Sequence, residues 1–142
     1  MRRVDKFALE PRDPGRDRDA TTTMLLVGGR PTGITLEGLQ LVDQFETDNG
    51  YLLVTDYNDP WEELTVVTLL DADLKQVAKK RLGKLLYVFP SRTFSVKRID
   101  IDGGDLVLQG SSAEEGGYRV EVTNGAGWLR ARMGLRTTWH QG

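Results

Sequence analysis

The chain contains no cysteine, which excludes disulfides, thiolate metal sites and cysteine nucleophiles. It has a single histidine, His140. That residue sits near the end of the sequence, a poor place for a base that must be held within hydrogen-bond reach of a substrate. No apolar run approaches the ~18–20 residues of a membrane-spanning helix. The opening MRRVDKFALEPRDPG is broken by Asp5, Lys6 and Glu10, unlike a signal peptide. No Gly-x-Ser-x-Gly elbow is present, and Gly28-Gly29-Arg30-Pro31-Thr32-Gly33 lacks the lysine and following helix of a phosphate-cradling loop. These absences predict a cytoplasmic, non-catalytic chain with no catalytic residue, no cofactor, no metal and no membrane partner. Two further absences concern charge. From Glu37 to Asp73 there is no Lys or Arg, and from Lys75 to Arg98 there is no Asp or Glu.

What is present is the complement of those gaps. Ten acids occupy Glu37–Asp73 and eight basic residues occupy Lys75–Arg98. A weaker alternation follows: Asp100, Asp102, Asp105, Glu114, Glu115 and Glu121 against Arg119, then Arg130, Arg132 and Arg136. A net charge of −2 therefore conceals a dipolar chain able to steer toward charged partners. At 142 residues the length suits one domain that buries its core without staples.

Residues Glu10–Thr23 carry two prolines, a glycine, mixed charges and no large apolar side chain, the composition of a flexible segment. The expected organisation is an N-terminal arm over 1–23, flexible over 10–23, and an all-β domain over 24–142. Removing the chain up to Thr22 is then expected to leave folding intact. Beyond the arm, apolar stretches alternate with turn residues every ~8–12 positions, the spacing of a sandwich or barrel. Expected strands are Met24–Val27, Ile34–Glu46, Tyr51–Asp56, Glu63–Leu70, Leu74–Leu82, Leu85–Phe89, Phe94–Ile101, Asp105–Gln109, Tyr118–Thr123 and Trp128–Leu135. Arg30–Gly33 reads as a turn, and Asn49-Gly50, Gly103-Gly104 and Asn124-Gly125 as tight hairpins.

A shift of 54 residues places Asn49-Gly50 on Gly103-Gly104, Phe45 on Ile99, Leu52 on Leu106 and Val66 on Val120. This predicts two related four-stranded meanders. The tips LLDADL (Leu69–Leu74) and DGGDL (Asp102–Leu106) resemble those of propeller-blade repeats, although two units are too few to close a propeller, which leaves a sandwich or barrel. Asp71–Gly83 also fits a capped helix; the repeat favours strand, since its counterpart Gly125–Gly134 holds three glycines.

Asp100-Ile-Asp-Gly-Gly-Asp105 has the form of a small calcium loop, but Ser111 or Ser112 stands where the final glutamate is required, so a solvated turn is expected. The most binding-like stretch is Asp56-Tyr-Asn-Asp-Pro-Trp-Glu-Glu63. It sets Tyr57 and Trp61 among carboxylates, a composition suited to recognition because aromatics supply large, rigid contact area. Tyr57, Asp59, Trp61, Glu62 and Glu63 are therefore the candidate partner-binding residues, with Trp61 as a lid on the sandwich end as the structural alternative. The basic block, interleaved with Tyr87, Phe89 and Phe94, could contact phosphates and stack on bases, but pairing of its charges with acids across strands is the stronger expectation. The leading function is a protein-interaction module for a basic partner, comparable by analogy to small acidic inhibitors and immunity proteins. A carrier of a small apolar or amphipathic ligand is second, and nucleic-acid binding through 75–98 is third.

Overall fold

A computed structural model of the chain describes residues 1–11, 21–57, 64–83, 94–111, 116–124 and 133–140. Their regular structure is entirely β. Strands β1 (Arg2–Arg3), β2 (Phe7–Leu9), β3 (Thr22–Val27), β4 (Arg30–Glu37), β5 (Gln40–Glu46) and β6 (Gly50–Asp56) fill the first half. Strands β7 (Thr65–Asp71), β8 (Gln76–Leu82), β9 (Val96–Asp102), β10 (Asp105–Gly110), β11 (Gly117–Asn124) and β12 (Met133–His140) fill the second. All pairings are antiparallel, in three sheets ordered β1-β5-β6-β7-β8, β12-β11-β10-β9 and β2-β3-β4.

The five-stranded sheet is the middle of three layers. Successive side chains on a strand point to opposite faces, and its central strands are apolar at consecutive positions. Leu52, Val54, Val67 and Leu69 join Ile99, Leu106, Leu108, Val120 and Leu135 of the four-stranded sheet in the larger core. Leu53 and Leu70 join Phe7, Leu25 and Leu36 of the three-stranded sheet in a second core on the other face. The runs Leu52-Leu53-Val54 and Val66-Val67-Thr68-Leu69-Leu70 are thus unbroken because both faces are covered. The outward face of the four-stranded sheet is polar and laced with ion pairs: Arg119 with Asp102 and Asp105, Arg98 with Asp100, and Arg136 with Glu121.

Residues 71–83 form a hairpin and not a helix. Asp71 Oδ1 accepts from the backbone N–H groups of Asp73 and Lys75, both at 2.9 Å, and Leu74 adopts a left-handed φ of 65° before β8 begins. The single strand expected over Ile34–Glu46 is two strands in different sheets. Gly38 (φ 119°) turns the chain against the Thr55 side chain, which sits 2.7 Å from where a Cβ would be. The expected turn at Arg30–Gly33 lies earlier, at Gly28-Gly29, whose positive φ values match the direct pairing of Val27 with Arg30. Gly103-Gly104 makes the expected two-residue hairpin. Gly50 is used differently, because a Cβ there would overlap the Leu70 carbonyl.

The expected boundary at residue 23 is not where pairing begins. β1 pairs with β5 and β2 with β3, Phe7 is a core residue, and Thr23 is buried inside β3, so deletion up to Thr22 would remove part of the core. Residues 12–20 of the expected flexible segment lie outside the described residues, as do the expected strand Leu85–Phe89 and the start of Trp128–Leu135. The strands β5–β8 and β9–β12 are both four-stranded meanders, but their registers differ. Leu52 pairs with Leu69, whereas Leu106 pairs with Val120 and not with Thr123, its partner under a 54-residue shift.

Candidate functional site

The sandwich end at which β4, β6 and β8 finish gathers the most concentrated polar chemistry among the described residues. Glu37 closes β4, and Gly38 then reverses the chain into β5, which turns the Glu37 carboxylate inward beneath β8. Its side chain is 6% exposed. Arg81 Nε donates to both carboxylate oxygens at 2.9 and 2.8 Å, and its Nη2 donates to Oε1 at 2.6 Å. Lys79 Nζ donates to Oε1 at 2.9 Å, and the Tyr57 hydroxyl donates to Oε2 at 2.7 Å. Lys79 and Arg81 share one face of β8 because they are two residues apart.

Burial alone would push the Glu37 carboxyl up, but the hydrogen bonds from Arg81, Lys79 and Tyr57 outweigh it and hold the group down at about 2. The backbone around it is equally fixed. Thr55 Oγ1 donates to Glu37 O at 2.5 Å, Thr23 Oγ1 to Gly38 O at 2.7 Å, and Leu39 N to Asp56 O at 2.7 Å. A carboxylate so fully satisfied by cations and a phenol is unsuited to move a proton near neutral pH. Its chemistry is structural: it locks β4, β6 and β8 at one end.

Tyr57, expected on a recognition loop, is 9% exposed and packs with Leu64 and Val66. Asp59, Trp61, Glu62 and Glu63 lie outside the described residues. The segment 58–63 therefore springs from two buried roots, Tyr57 and Leu64. Of the basic block, Lys79 and Arg81 serve Glu37 and Arg98 pairs with Asp100 at 2.8 Å. Phe94 is 1% exposed and packs edge-on against Tyr118, with ring centroids 4.7 Å apart, so it offers no face to a base; Tyr87 and Phe89 lie outside the described residues. In the Asp100–Asp105 tip, Arg119 engages Asp102 at 3.0 Å and Asp105 at 2.9 Å, which makes this tip an ion-paired hairpin. His140 is exposed, its ring against Gly117. Two clefts lie at the opposite, hairpin-tip end. One of about 130 Å³ touches Met1, Thr47 and Met133, and a shallow one of about 320 Å³ touches Glu46, Asp48 and Tyr51.

Composition and spacing do not single out Glu37 as a node. Its one signal is position: a glutamate at the end of an alternating strand, directly before a glycine. Among the described residues, no helix is long and apolar enough to cross a membrane. No protein-family model matches the chain, and no curated protein or solved structure matches it.

Proposed function

We propose that the chain is a cytoplasmic, non-catalytic protein-interaction module that offers the acidic segment 58–63 to a basic partner. The observation that carries this reading is the rooting of the segment. Tyr57 is buried and held by Glu37, and Leu64 is 5% exposed, so a six-residue connection bearing Asp59, Trp61, Glu62 and Glu63 is fixed at both ends. Fixed ends reduce the ordering cost of binding, which is the basis of preorganised recognition. Tyr57 acts in this account as the root that positions the others, not as a contact.

The division of labour follows from physics. Carboxylates steer a basic partner and set the association rate, whereas a tryptophan anchor slows dissociation. The test takes the partner that co-purifies with the native protein and measures its binding kinetics. Glu62→Lys with Glu63→Lys should lower the on-rate several-fold at low salt. The difference should shrink as ionic strength passes the regime of an ~8 Å screening length. An on-rate unaffected by the double reversal at every salt concentration would remove the basis of the proposal.

A further inference from the structure

The seam between β5 and β9 is closed by the first residues of the chain. β1 places Arg2 opposite Glu46 and Arg3 opposite Phe45, and Val4 N donates to Gln44 O at 3.0 Å. On the other side the link to β9 is a side chain, with Arg3 Nη2 donating to Ile99 O at 3.1 Å. That bond shows the Ile99 carbonyl pointing out of the β9 edge into the seam.

Charge across the seam is sorted. Arg2 meets Glu46 at 3.1 Å. Arg3 Nε meets both oxygens of Asp43, at 3.1 and 2.9 Å. The Arg3 guanidinium also lies 5.2 Å over the Phe45 ring, and Asp100 of β9 acts on the same charge. Both arginine side chains remain largely in water, 73% and 54% exposed, and ion pairs of that kind hold weakly. The grip changes at the next residues. The Gln44 side-chain oxygen accepts from Lys6 N at 2.9 Å and Phe7 N at 2.8 Å, its Nε2 donates to Phe7 O at 3.0 Å, and Phe7 is buried. Met1–Asp5 is thus a strand paired with β5 alone, with Met1 against the larger core but its two arginines weakly held, ahead of a firm anchor. Asp43 and Glu46 of β5 and Asp100 of β9 surround those arginines.

We propose that this seam docks an extended, arginine-bearing segment of a partner protein, which adds as a strand against β5 in place of Met1–Asp5. Main-chain pairing with an exposed sheet edge supplies affinity, and side chains at fixed positions supply selectivity. Asp43 and Glu46 select arginine, whose guanidinium fork matches a carboxylate. The resident sequence displays the accepted chemistry: adjacent arginines between Met1 and Val4. Tethered in place at an effective concentration on the order of millimolar, it is a built-in competitor. The seam uses different strands from the roots of segment 58–63 and does not rest on the reading of that segment.

The test uses the full chain and a fluorescein-labelled peptide of the resident sequence, MRRVDK. Arg2→Ala with Arg3→Ala weakens the competitor, so the peptide should bind this variant about tenfold or more tightly than the parent. Adding Asp43→Asn should abolish the gain, and the peptide MAAVDK should bind neither protein. Equal affinity for parent and variant, or equal binding of the two peptides, overturns the proposal. A concentration-dependent dimer of the variant that excludes the peptide also overturns it, by giving the seam to a second copy of the chain. Should the double variant fail to fold, hydrogen exchange on the parent decides. A Val4 amide that exchanges faster than those of β6 and yields its place to added MRRVDK supports displacement. A Val4 amide protected to the level of global unfolding, with no response to the peptide, refutes it.

Discussion

Glu37 concentrates in one side chain the requirements of a buried charge: two cations, a phenol and a fixed backbone. Its carboxyl sits at about 2 in the folded state, against an unfolded value near 4.3. A depressed folded value contributes stability above the unfolded value and loses it as pH falls through the folded one. Acid titration of the melting midpoint should therefore show a fall between about pH 4.5 and 2 that Glu37→Gln flattens. At neutral pH the same substitution should cost about 1–3 kcal/mol, because it weakens the hydrogen bonds at this buried end while Lys79 and Arg81 stay partly in water. A variant with the parent's acid profile would show that the network does not hold this end together. Two glycines give a parallel residue-scale test. Gly50→Ala drives a methyl into the Leu70 carbonyl and should cost up to about 3 kcal/mol, as overpacking does. Gly103→Ala meets only the end of the Arg119 side chain, at 3.7 Å, and should cost about 1–2 kcal/mol for its left-handed φ. Chemical denaturation of the pair checks the order.

At the scale of elements, β2 is the smallest strand with a core residue. Phe7 reaches the second core and packs edge-on against Tyr51, with ring centroids 5.0 Å apart. Phe7→Ala should cost about 3–5 kcal/mol, read as a lowered midpoint in urea, and a midpoint unchanged from the parent would return residues 1–9 to the status of an arm. The strands legible in the sequence were those with their own pattern. β6 and β7 are apolar runs between turn residues, and the Gly103-Gly104 hairpin carries its turn chemistry in two letters. Ile34–Glu46 was not legible as two strands, because both halves alternate like one strand and only Gly38 marks the change of sheet. β2 was hidden for a different reason: three residues beside a charged, proline-bearing stretch carry no periodicity, and Phe7 is placed by pairing with Val27 of β3 and by the side chain of the distant Gln44. The two four-stranded meanders follow from the succession of apolar runs and turns, whereas the 54-residue shift does not carry over to the register, since hairpins of different length reset the pairing.

At the scale of the whole molecule, Glu37, Asp43 and Glu46 of the acidic block are ion-paired with residues far from them in sequence. The acidic block meets Arg2 and Arg3 at one edge of the middle sheet and Lys79 and Arg81 toward the other. The general expectation of internal pairing follows from strand adjacency, but the partners do not, because β1 and β4 reach these acids and bases through folding of the chain. The candidate site was legible to the same degree. Composition points to the stretch around Trp61, while the inward turn of Tyr57 depends on Glu37, twenty residues earlier. The proposed function requires that the segment rooted at Tyr57 and Leu64 present Trp61 to a partner. The most direct test is the thermal midpoint of Trp61→Ala measured beside its affinity for the co-purifying partner. If Trp61 is the anchor, the midpoint stays within a few degrees of the parent and binding falls by about 2 kcal/mol or more. A variant that retains its affinity, or one destabilised by roughly 3–5 kcal/mol as a truncated core aromatic would be, would contradict it.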